Sequence, residues 1–399
     1  MTKSREELDL EKLVEIDGEF CVPTQVGEAR HVVDWGPFEP PRNAWYVVRK
    51  LLLFVPAMFL FILAVQLMKS GAAAIGPEIQ GQFPFANGIS TFGTGWLGSY
   101  VVLSGSPVAA TTVSLFGAGS LTKLQTLTML SGSRLGASFI VLVAGFLYSI
   151  RGPSGRRTDV LGIGIQAMTL SALVYVPGMM IGYGLLRAGS LGGIDWHASE
   201  QLDAFLSWLW GPIVDAVEGL VPGWTMLLIG LGVILLSFWL LDHVLPAVSS
   251  DRTASKRAAW LRHPWTMFAL GCLVATLTLS VSVALTILVP LASRGLIRRE
   301  EAVPYILGAN VMTLADTLVV AMLQPTEEAV QIVLALAIGV TLVSLAILGL
   351  WFRPVKSVVI RLDDALVVSN RRLLVFVGVL FVLPVSFLLS GLWIGPIVR

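Results

Sequence analysis

Two serine pairs lie inside long apolar stretches of the chain, where membrane helices normally carry apolar side chains. Ser104 and Ser106 flank Gly105, and Ser280 and Ser282 follow at a constant offset (280 − 104 = 176). Their hydroxyls can donate hydrogen bonds to an anion or supply oxygen ligands to a cation. The alternative is that small residues only allow two membrane segments to cross closely. We predict that both serine pairs and Gly105 contact a substrate.

Arg134 and Asn310 stand at the same offset of 176 and follow the two serine pairs along the chain. Arg134 comes about eleven residues after the charged turn at Lys123, which at ~1.5 Å per helical residue places it ~16 Å into a bilayer. A guanidinium presents a rigid fork to carboxylate or phosphate oxygens. We therefore predict that Arg134 and Asn310 contact the substrate, with Arg134 facing a cavity as a fixed positive charge. The alternative is a side chain near a helix end that reaches the lipid headgroups.

Asp316 is the only acidic residue between Ala309 and the turn at Gln324. It either pairs with Arg134 or binds a coupling cation or proton, and both interpretations stay open. Threonine hydroxyls could also hold a coupling ion, although they readily bond to the helix carbonyl four residues earlier. The threonines considered for this role are Thr276, Thr286 and Thr313.

The serine pairs belong to a stretch that occurs twice, over 93–138 and over 271–314. The offset of 176 also pairs Gly95 with Gly271, Gly119 with Gly295 and Gly132 with Gly308. An ungapped register of this length predicts an internal duplication. Duplicated apolar segments interrupted by glycine and polar residues are typical of transporters whose substrate site lies between two repeats.

The composition is that of a membrane protein. Hydrophobic residues make up 55% of the 399 residues and charged residues 13%, and the mean hydropathy is +0.80, far more apolar than a soluble domain requires. A net charge of +1 argues against a nucleic-acid partner. The two cysteines form no CxxC pair and the four histidines form no pair at helical spacing. We therefore expect no metal and no cofactor. Because the apolar spans contain no Ser–His pair, no HExxH motif and no paired catalytic aspartates, we also expect no enzymatic activity.

The charges of the loops predict which side of the membrane each one faces. Basic residues cluster at 151–157, 252–262 and 353–372, whereas 189–223 is acidic. By the positive-inside rule, the basic loops and the N-terminus are cytoplasmic. The hairpin of the first copy then enters from outside and that of the second from inside. The repeats would have opposite topology, which permits alternating access to one central site.

These patterns predict an all-α, polytopic plasma-membrane protein with two inverted-topology repeats, each with a re-entrant helical hairpin. The predicted segments are a cytoplasmic N-terminal arm (1–44), a first repeat (51–150) with a hairpin (92–119), a linking span and extracellular amphipathic helix (151–224), a second repeat (225–323) with a hairpin (265–291), and C-terminal spans (328–399). Seven crossing segments are predicted: Leu51–Met68, Thr126–Ile150, Val160–Leu186, Thr225–Leu241, Val303–Leu323, Val330–Trp351 and Leu373–Ile397.

Three local expectations accompany this scheme. Glycines and prolines over 69–90 are interpreted as ending the first span. Residues 353–372 are interpreted as a basic loop. Gln166, a polar residue within an apolar run, is expected to hydrogen-bond to a neighbouring helix.

The repeated stretch resembles the type II sodium–phosphate cotransporter family. Each of that family's two inverted repeats carries a Gln-Ser-Ser-Ser element in a hairpin and a downstream Gly-Ala-Asn-Ile-Gly-Thr-Thr element. The matching positions here are 103–106 and 279–282 for the first element, and 132–138 and 308–314 for the second. The resemblance covers residues 51–323. It implies that hairpin hydroxyls and nearby backbone groups hold phosphate and sodium.

Several departures from the family pattern bear on function. Leu103 and Leu279 replace both glutamines, the middle hydroxyl of each serine triplet is absent, and Arg134 replaces one asparagine. Losing oxygens and gaining a guanidinium argues against a cation site beside Arg134. The resemblance implies sodium-coupled symport of phosphate or a related oxyanion, with sodium as the coupling ion. The alternatives are a proton-coupled transporter of a carboxylate or other anion, and a membrane scaffold or sensor that does not transport. The sequence also allows a homodimer.

Overall fold

In the computed structural model, the body of the protein is a bundle of α-helices. The structure describes residues 44–79, 82, 84–151, 157–193, 200–244, 263–278, 280–293 and 297–393, and three short strands nearer the N-terminus. The strands β1 (Val14–Ile16), β2 (Glu19–Val22) and β3 (Arg30–His31) pair antiparallel in the order β1-β2-β3. Most of the arm predicted over 1–44 lies outside the described residues.

The described helices form two groups along the chain, one before residue 220 and one after it. The first contains α1 (Ala44–Ile79), α2 (Gly88–Val102), α3 (Gly105–Gly117), α4 (Lys123–Ala137), α5 (Phe139–Arg151), α6 (Arg157–Arg187) and α7 (Glu200–Glu218). The second contains α8 (Gly223–Val244), α9 (Pro264–Thr278), α10 (Val281–Thr286), α11 (Leu288–Ser293), α12 (Arg299–Met312), α13 (Ala315–Met322), α14 (Glu327–Gly349), α15 (Phe352–Val367) and α16 (Asn370–Trp393).

Seven segments of the described helices are long and apolar enough to cross a membrane, and they coincide with the seven predicted crossings. They are Leu52–Ile75, Lys123–Leu147, Asp159–Arg187, Gly223–Leu240, Arg299–Met322, Glu327–Gly349 and Asn370–Trp393. The prediction of a helical, multi-pass architecture therefore agrees with the length and composition of these helices.

The helix boundaries recur at the offset found in the sequence. Helix α9 begins and ends 176 positions after α2, and α10, α12 and α13 begin 176 positions after α3, α4 and α5 respectively. Helices α10 and α11 together end 176 positions after the end of α3. The start positions of these helices therefore repeat at the same offset as the sequence does.

Glycines allow the same helix crossing in both copies. A Cβ atom added to Gly132 of α4 would overlap the carbonyl oxygen of Phe92 on α2. A Cβ added to Gly308 of α12 would overlap the carbonyl oxygen of Phe268 on α9 in the same way. Backbone therefore packs on backbone at both crossings, as small residues permit between membrane helices.

The first hairpin reverses at Leu103, which adopts a left-handed conformation with φ 54°. Ser104 follows in an extended conformation and begins α3. Across the turn, the Val108 side chain folds back over Gly98, so that α2 and α3 lie side by side. A left-handed leucine is strained because its Cβ crowds the backbone, and such conformations are concentrated at functional sites.

Helices α6 and α14 pack against each other at the centre, and each also contacts α4 and α12. A Cβ on Gly178 of α6 would lie 2.9 Å from the backbone nitrogen of Val340 on α14. One turn later, a Cβ on Gly182 would lie 2.9 Å from the carbonyl oxygen of Ala335. As the numbering rises along α6 it falls along α14, so the two helices run antiparallel.

Two local expectations are wrong. Helix α1 does not end near Met68 but continues to Ile79, because Gly71 is a packing position where the backbone of Leu227 on α8 approaches closely. The segment interpreted as a basic loop contains α15, an amphipathic helix whose residues Val359 and Asp363, four apart, are both buried. Its basic residues occupy the exposed face, which concealed the helical periodicity.

The glycine crossings can be tested by adding one methyl group. We expect Gly308→Ala to destabilise the protein by at least ~1–3 kcal/mol, because the methyl group would meet backbone that cannot rotate away. Gly378→Ala in α16 is the matched control, because a Cβ there meets open space. It should change stability by less than ~1 kcal/mol. Melting temperatures of the purified proteins in detergent measure both, and equal melting of the two variants would contradict the close crossing.

Candidate functional site

Arg134 is buried in an ion pair that joins the two copies. Its side chain is 0% exposed, and Nη2 donates to Asp316 Oδ1 at 2.7 Å. Nη2 also donates to the hydroxyl of Thr317, and Nη1 donates to Ser106 Oγ at 3.2 Å. The pairing interpretation of Asp316 is therefore the one that the structure displays. The positive charge of Arg134 is balanced by the carboxylate.

The ion pair leaves polar atoms without partners. Asp316 Oδ2 and Arg134 Nε are both buried, and neither has a hydrogen-bond partner among the described residues. Asp316 Oδ1, in contrast, also accepts from the backbone nitrogen of Thr317 at 2.5 Å. A buried carboxylate oxygen without a donor costs about 1–3 kcal/mol or more. A proton or a small cation at Oδ2 would remove that cost.

A separate, open cavity of about 570 Å³ brings the serines of the two hairpins together. The polar residues in its wall are Ser104 from the first hairpin and Ser280, Ser282 and Thr286 from the second. Apolar residues of the hairpins, α5 and α8 complete the wall: Leu103, Ile140, Leu235, Phe238, Trp239, Val283 and Ile287. The hydroxyls of Ser282 and Thr286 are buried and have no partner among the described residues. Unpartnered hydroxyls of this kind are available to a ligand.

The serine hydroxyls lie where the second helix of each hairpin begins. Ser104 is the N-cap of α3, but its side chain makes no capping bond. Ser280 is the N-cap of α10 and accepts weakly from the backbone nitrogen of Val283 at 3.4 Å. The first turn of α3 also carries backbone N–H groups that the helix itself does not use. Ser104 and Ser280, each at the start of a helix, thus line one cavity.

Asn310 and Thr313 belong to a third polar group, centred on α6. The Asn310 side chain donates to Ser171 Oγ at 3.1 Å, and Ser171 shares a 2.6 Å hydrogen bond with Ser138. Tyr175 donates to the Asn310 carbonyl at 2.8 Å and lies 2.8 Å from the Thr313 hydroxyl. Ser138 and Thr313 each occupy the break between two consecutive helices. This network fixes both breaks against α6.

The remaining predicted residues lie apart from these groups. Thr276 is exposed on α9, and its hydroxyl donates to the carbonyl of Cys272 at 2.8 Å, the local bond that the sequence left as the alternative. Gly105 lies where a Cβ would be 2.8 Å from the carbonyl oxygen of Ser133, so it permits α3 to approach α4. Neither residue lines the cavity.

Sequence reasoning missed Ser171, Tyr175 and Thr317. Ser171 and Tyr175 are four residues apart within the apolar run of α6, a spacing that places both on one helix face. That spacing is the signal that could have identified them. Thr317 carries no such signal, because its role depends on its contact with a residue 183 positions away.

Comparison of the chain with protein-family models, with curated proteins and with solved structures finds no match. The site is therefore interpreted from its own chemistry. That chemistry comprises a charge-balanced ion pair, a hydroxyl-lined cavity and an amide network, all carried by the two hairpins and the helices that follow or contact them.

Removing either partner of the ion pair should strongly destabilise the protein. Arg134→Gln and Asp316→Asn should each cost about 3–5 kcal/mol, because each leaves an uncompensated buried charge, and the double variant should recover much of that loss. Thermal melting in detergent measures the cycle. The exposed pair of Lys123 and Glu328 provides the control, since neutralising it should cost ~1 kcal/mol or less. Additive losses in the double variant would contradict the pairing.

Proposed function

We propose that the protein is a secondary active membrane transporter of a small anion that works by alternating access. Sodium-coupled phosphate, or a related oxyanion, is the first candidate for its substrate and coupling ion. The single observation that carries the proposal is that Ser104 lines one cavity together with Ser280 and Ser282. Two hairpins 176 positions apart thus contribute equivalent hydroxyls to the same space.

Ion pairs at the helix ends support opposite topology of the two repeats. Lys123 at the start of α4 lies 2.9 Å from Glu328 at the start of α14. Arg299 at the start of α12 lies 3.1 Å from Asp159 near the start of α6. Helices α6 and α14 run antiparallel, so these contacts imply that α4 and α12, which correspond in the repeat, also run in opposite directions. Inverted repeats are a common basis of alternating access.

The dimensions of the hairpins support a re-entrant arrangement. Helices α2 and α9 each have 15 residues, which at ~1.5 Å per residue gives ~22 Å. A hydrocarbon core of ~30 Å is thicker than that. Helices of this length that turn back end within the membrane, and irregular backbone at that depth is tolerated where it lines a cavity. The serine residues occupy that position in both hairpins.

The charge distribution favours an anion that enters together with a cation. The serine and threonine hydroxyls of the wall offer hydrogen-bond donors to the cavity, which suits an oxyanion. No described residue in the cavity wall carries a charge. Arg134 lies outside the cavity, and its charge is balanced by Asp316. An anion would therefore bring uncompensated charge unless a cation accompanied it. Each uncompensated charge moved against 100 mV costs ~2.3 kcal/mol, which favours symport.

Two other functions each have an observation in their favour. The unpartnered Oδ2 of Asp316 favours proton coupling, because protonation would free the charge of Arg134 for a carboxylate or other anion. Leu103 stands where the type II sodium–phosphate cotransporter family, which the repeated stretch resembles, carries glutamine. It makes the cavity wall more apolar and favours a scaffold or sensor that does not transport.

Uptake into proteoliposomes tests the proposed transport directly. We expect radiolabelled phosphate to accumulate when an inward sodium gradient is imposed and not when potassium replaces sodium. Accumulation that follows a proton gradient instead would favour the Asp316 alternative. Absence of uptake with phosphate, sulfate and small carboxylates under either gradient would contradict the transporter proposal and favour the scaffold.

The cavity hydroxyls should be essential for that uptake. Ser280→Ala combined with Ser282→Ala should lower the rate at low substrate roughly tenfold to a hundredfold, because a hydrogen bond to a charged group contributes about 1.5–3 kcal/mol. Thr276→Ala is the matched control, because this hydroxyl bonds only within α9 and lies outside the cavity. Equal uptake by the double variant and the control would contradict the placement of the substrate between the hairpins.

A further inference from the structure

A second buried acid lies where helices α6 and α12 begin, outside both the cavity and the ion pair of Arg134 with Asp316. Asp363 projects from the amphipathic helix α15 and is 0% exposed. Its carboxylate rests on Gly162 of α6, where an added Cβ would overlap the carboxylate oxygens. The missing side chain at position 162 therefore creates the space that the acid fills. This acid takes no part in the transport site proposed above.

Three carboxylates at this end share one guanidinium. Arg299 Nη1 donates to Asp363 Oδ2 at 3.1 Å and to Asp364 Oδ1 at 2.8 Å, and Arg299 Nε pairs with Asp159 Oδ1 at 3.1 Å. Gln166 Nε2 donates to Asp363 Oδ2 at 3.0 Å. With all three acids ionised, this cluster carries an excess of two negative charges, and the most deeply buried acid receives only part of one positive charge.

Two buried oxygens of the cluster have no donor. Asp363 Oδ1 and Gln166 Oε1 are both buried, and neither has a hydrogen-bond partner among the described residues. Both atoms are acceptors, so they cannot satisfy each other. A proton on Asp363 Oδ1 would convert that oxygen into a donor that can pair with Gln166 Oε1. Carboxylic acid and amide would then form two complementary hydrogen bonds, and one proton would satisfy both oxygens.

We propose that Asp363 and Gln166 form a proton-binding site that docks α15 onto the start of α6. The bound proton removes a buried charge and completes the hydrogen bonding between α15 and α6. When the proton leaves, the carboxylate faces two neighbouring acids and an unpaired amide oxygen, and α15 is held less firmly. Loop charges predict that this end is cytoplasmic, so the docking of α15 would respond to the pH of that compartment.

The surroundings of Asp363 favour its protonation in mildly acidic solution. Burial raises the pKa of Asp363 to about 6, opposed by the hydrogen bond from Gln166 and by the charge of Arg299, and reinforced by Asp364. Among the described residues, Asp159 of α6 also joins the cluster, through its ion pair with Arg299. On α16, Arg372 instead donates to the carbonyl of Ala365. The acidic residues of α14, Glu327 and Glu328, begin that helix at its other end.

The sign of the pH effect follows from the raised pKa. The folded protein holds the proton up to about pH 6, whereas an unfolded chain releases it near pH 3.8, the ordinary pKa of an aspartic acid. The stabilisation from the bound proton is therefore complete at low pH and is lost as the pH rises through this window. Asp363→Asn should imitate the protonated state, because its amide can donate to Gln166 Oε1 and accept from Gln166 Nε2.

Thermal melting of the full-length protein in detergent at pH 5 and pH 7 tests the site. We expect Asp363→Asn to melt above the wild type at pH 7 by on the order of 2–4 °C, with the difference shrinking toward pH 5. Asp364→Asn is the matched control, since it removes a neighbouring, half-exposed carboxylate but leaves Asp363 in place. It should keep the direction of the wild-type pH dependence, with the pH window moved slightly lower because the charge of Asp364 helps to raise the pKa of Asp363. If Asp363→Asn retains that dependence, or melts below the wild type at pH 7, the site does not bind a proton.

A measurement on the wild type alone keeps the proposal testable if the variant does not fold. Hydrogen–deuterium exchange of the peptide covering 352–367, corrected for the intrinsic effect of pH, should be slower at pH 5.5 than at pH 7.5. The exposed amides of α7 should show no such difference after correction. Equal or faster corrected exchange of α15 at pH 5.5 would overturn the role of the proton in docking this helix.

Discussion

The burial of a guanidinium within an apolar helical bundle is the constraint on which the centre of this protein depends. An isolated charge in such a place costs many kcal/mol, so Arg134 requires Asp316. The pair joins α4 of the first copy to α13 of the second, and Ser106 and Thr317 complete the bonding. Because these hydrogen bonds require both short distances and defined donor directions, they fix how α4 and α13 lie against each other.

The two copies share a backbone but differ in the side chains at the equivalent positions. Glycine crossings and helix boundaries repeat at the same offset, whereas Arg134 in one copy corresponds to Asn310 in the other. The arginine position is charge-paired and the asparagine position belongs to a neutral network with Ser171 and Tyr175. A duplicated framework therefore supports an asymmetric centre. The cavity between the serine residues is separate and contains none of its charges.

The two most deeply buried acids of the described residues solve the same problem differently. Asp316 has a guanidinium to itself, and the resulting pair is neutral. Asp363 shares Arg299 with two other acids and rests against an amide. One guanidinium cannot balance three carboxylates, so a bound proton would neutralise Asp363. One acid joins the two copies inside the helical bundle. The other holds an amphipathic helix at the end of the bundle.

The sequence by itself determined the seven segments that form helices long and apolar enough to cross a membrane, and the duplication, because both are read from residue types and their spacing along the chain. It also identified Arg134 and Asp316 as exceptional, since charged residues are rare in apolar runs, and left their pairing as one of two interpretations. It misjudged the end of α1 and missed α15, because a packing glycine and a helix-breaking glycine look alike and basic residues masked the helical period. Only the tertiary structure decided that Arg134 is charge-balanced, that Ser104 shares a cavity with Ser280, and that Asp363 meets Gln166. Those contacts join residues far apart in the chain, and their distances depend on how closely the helices pack.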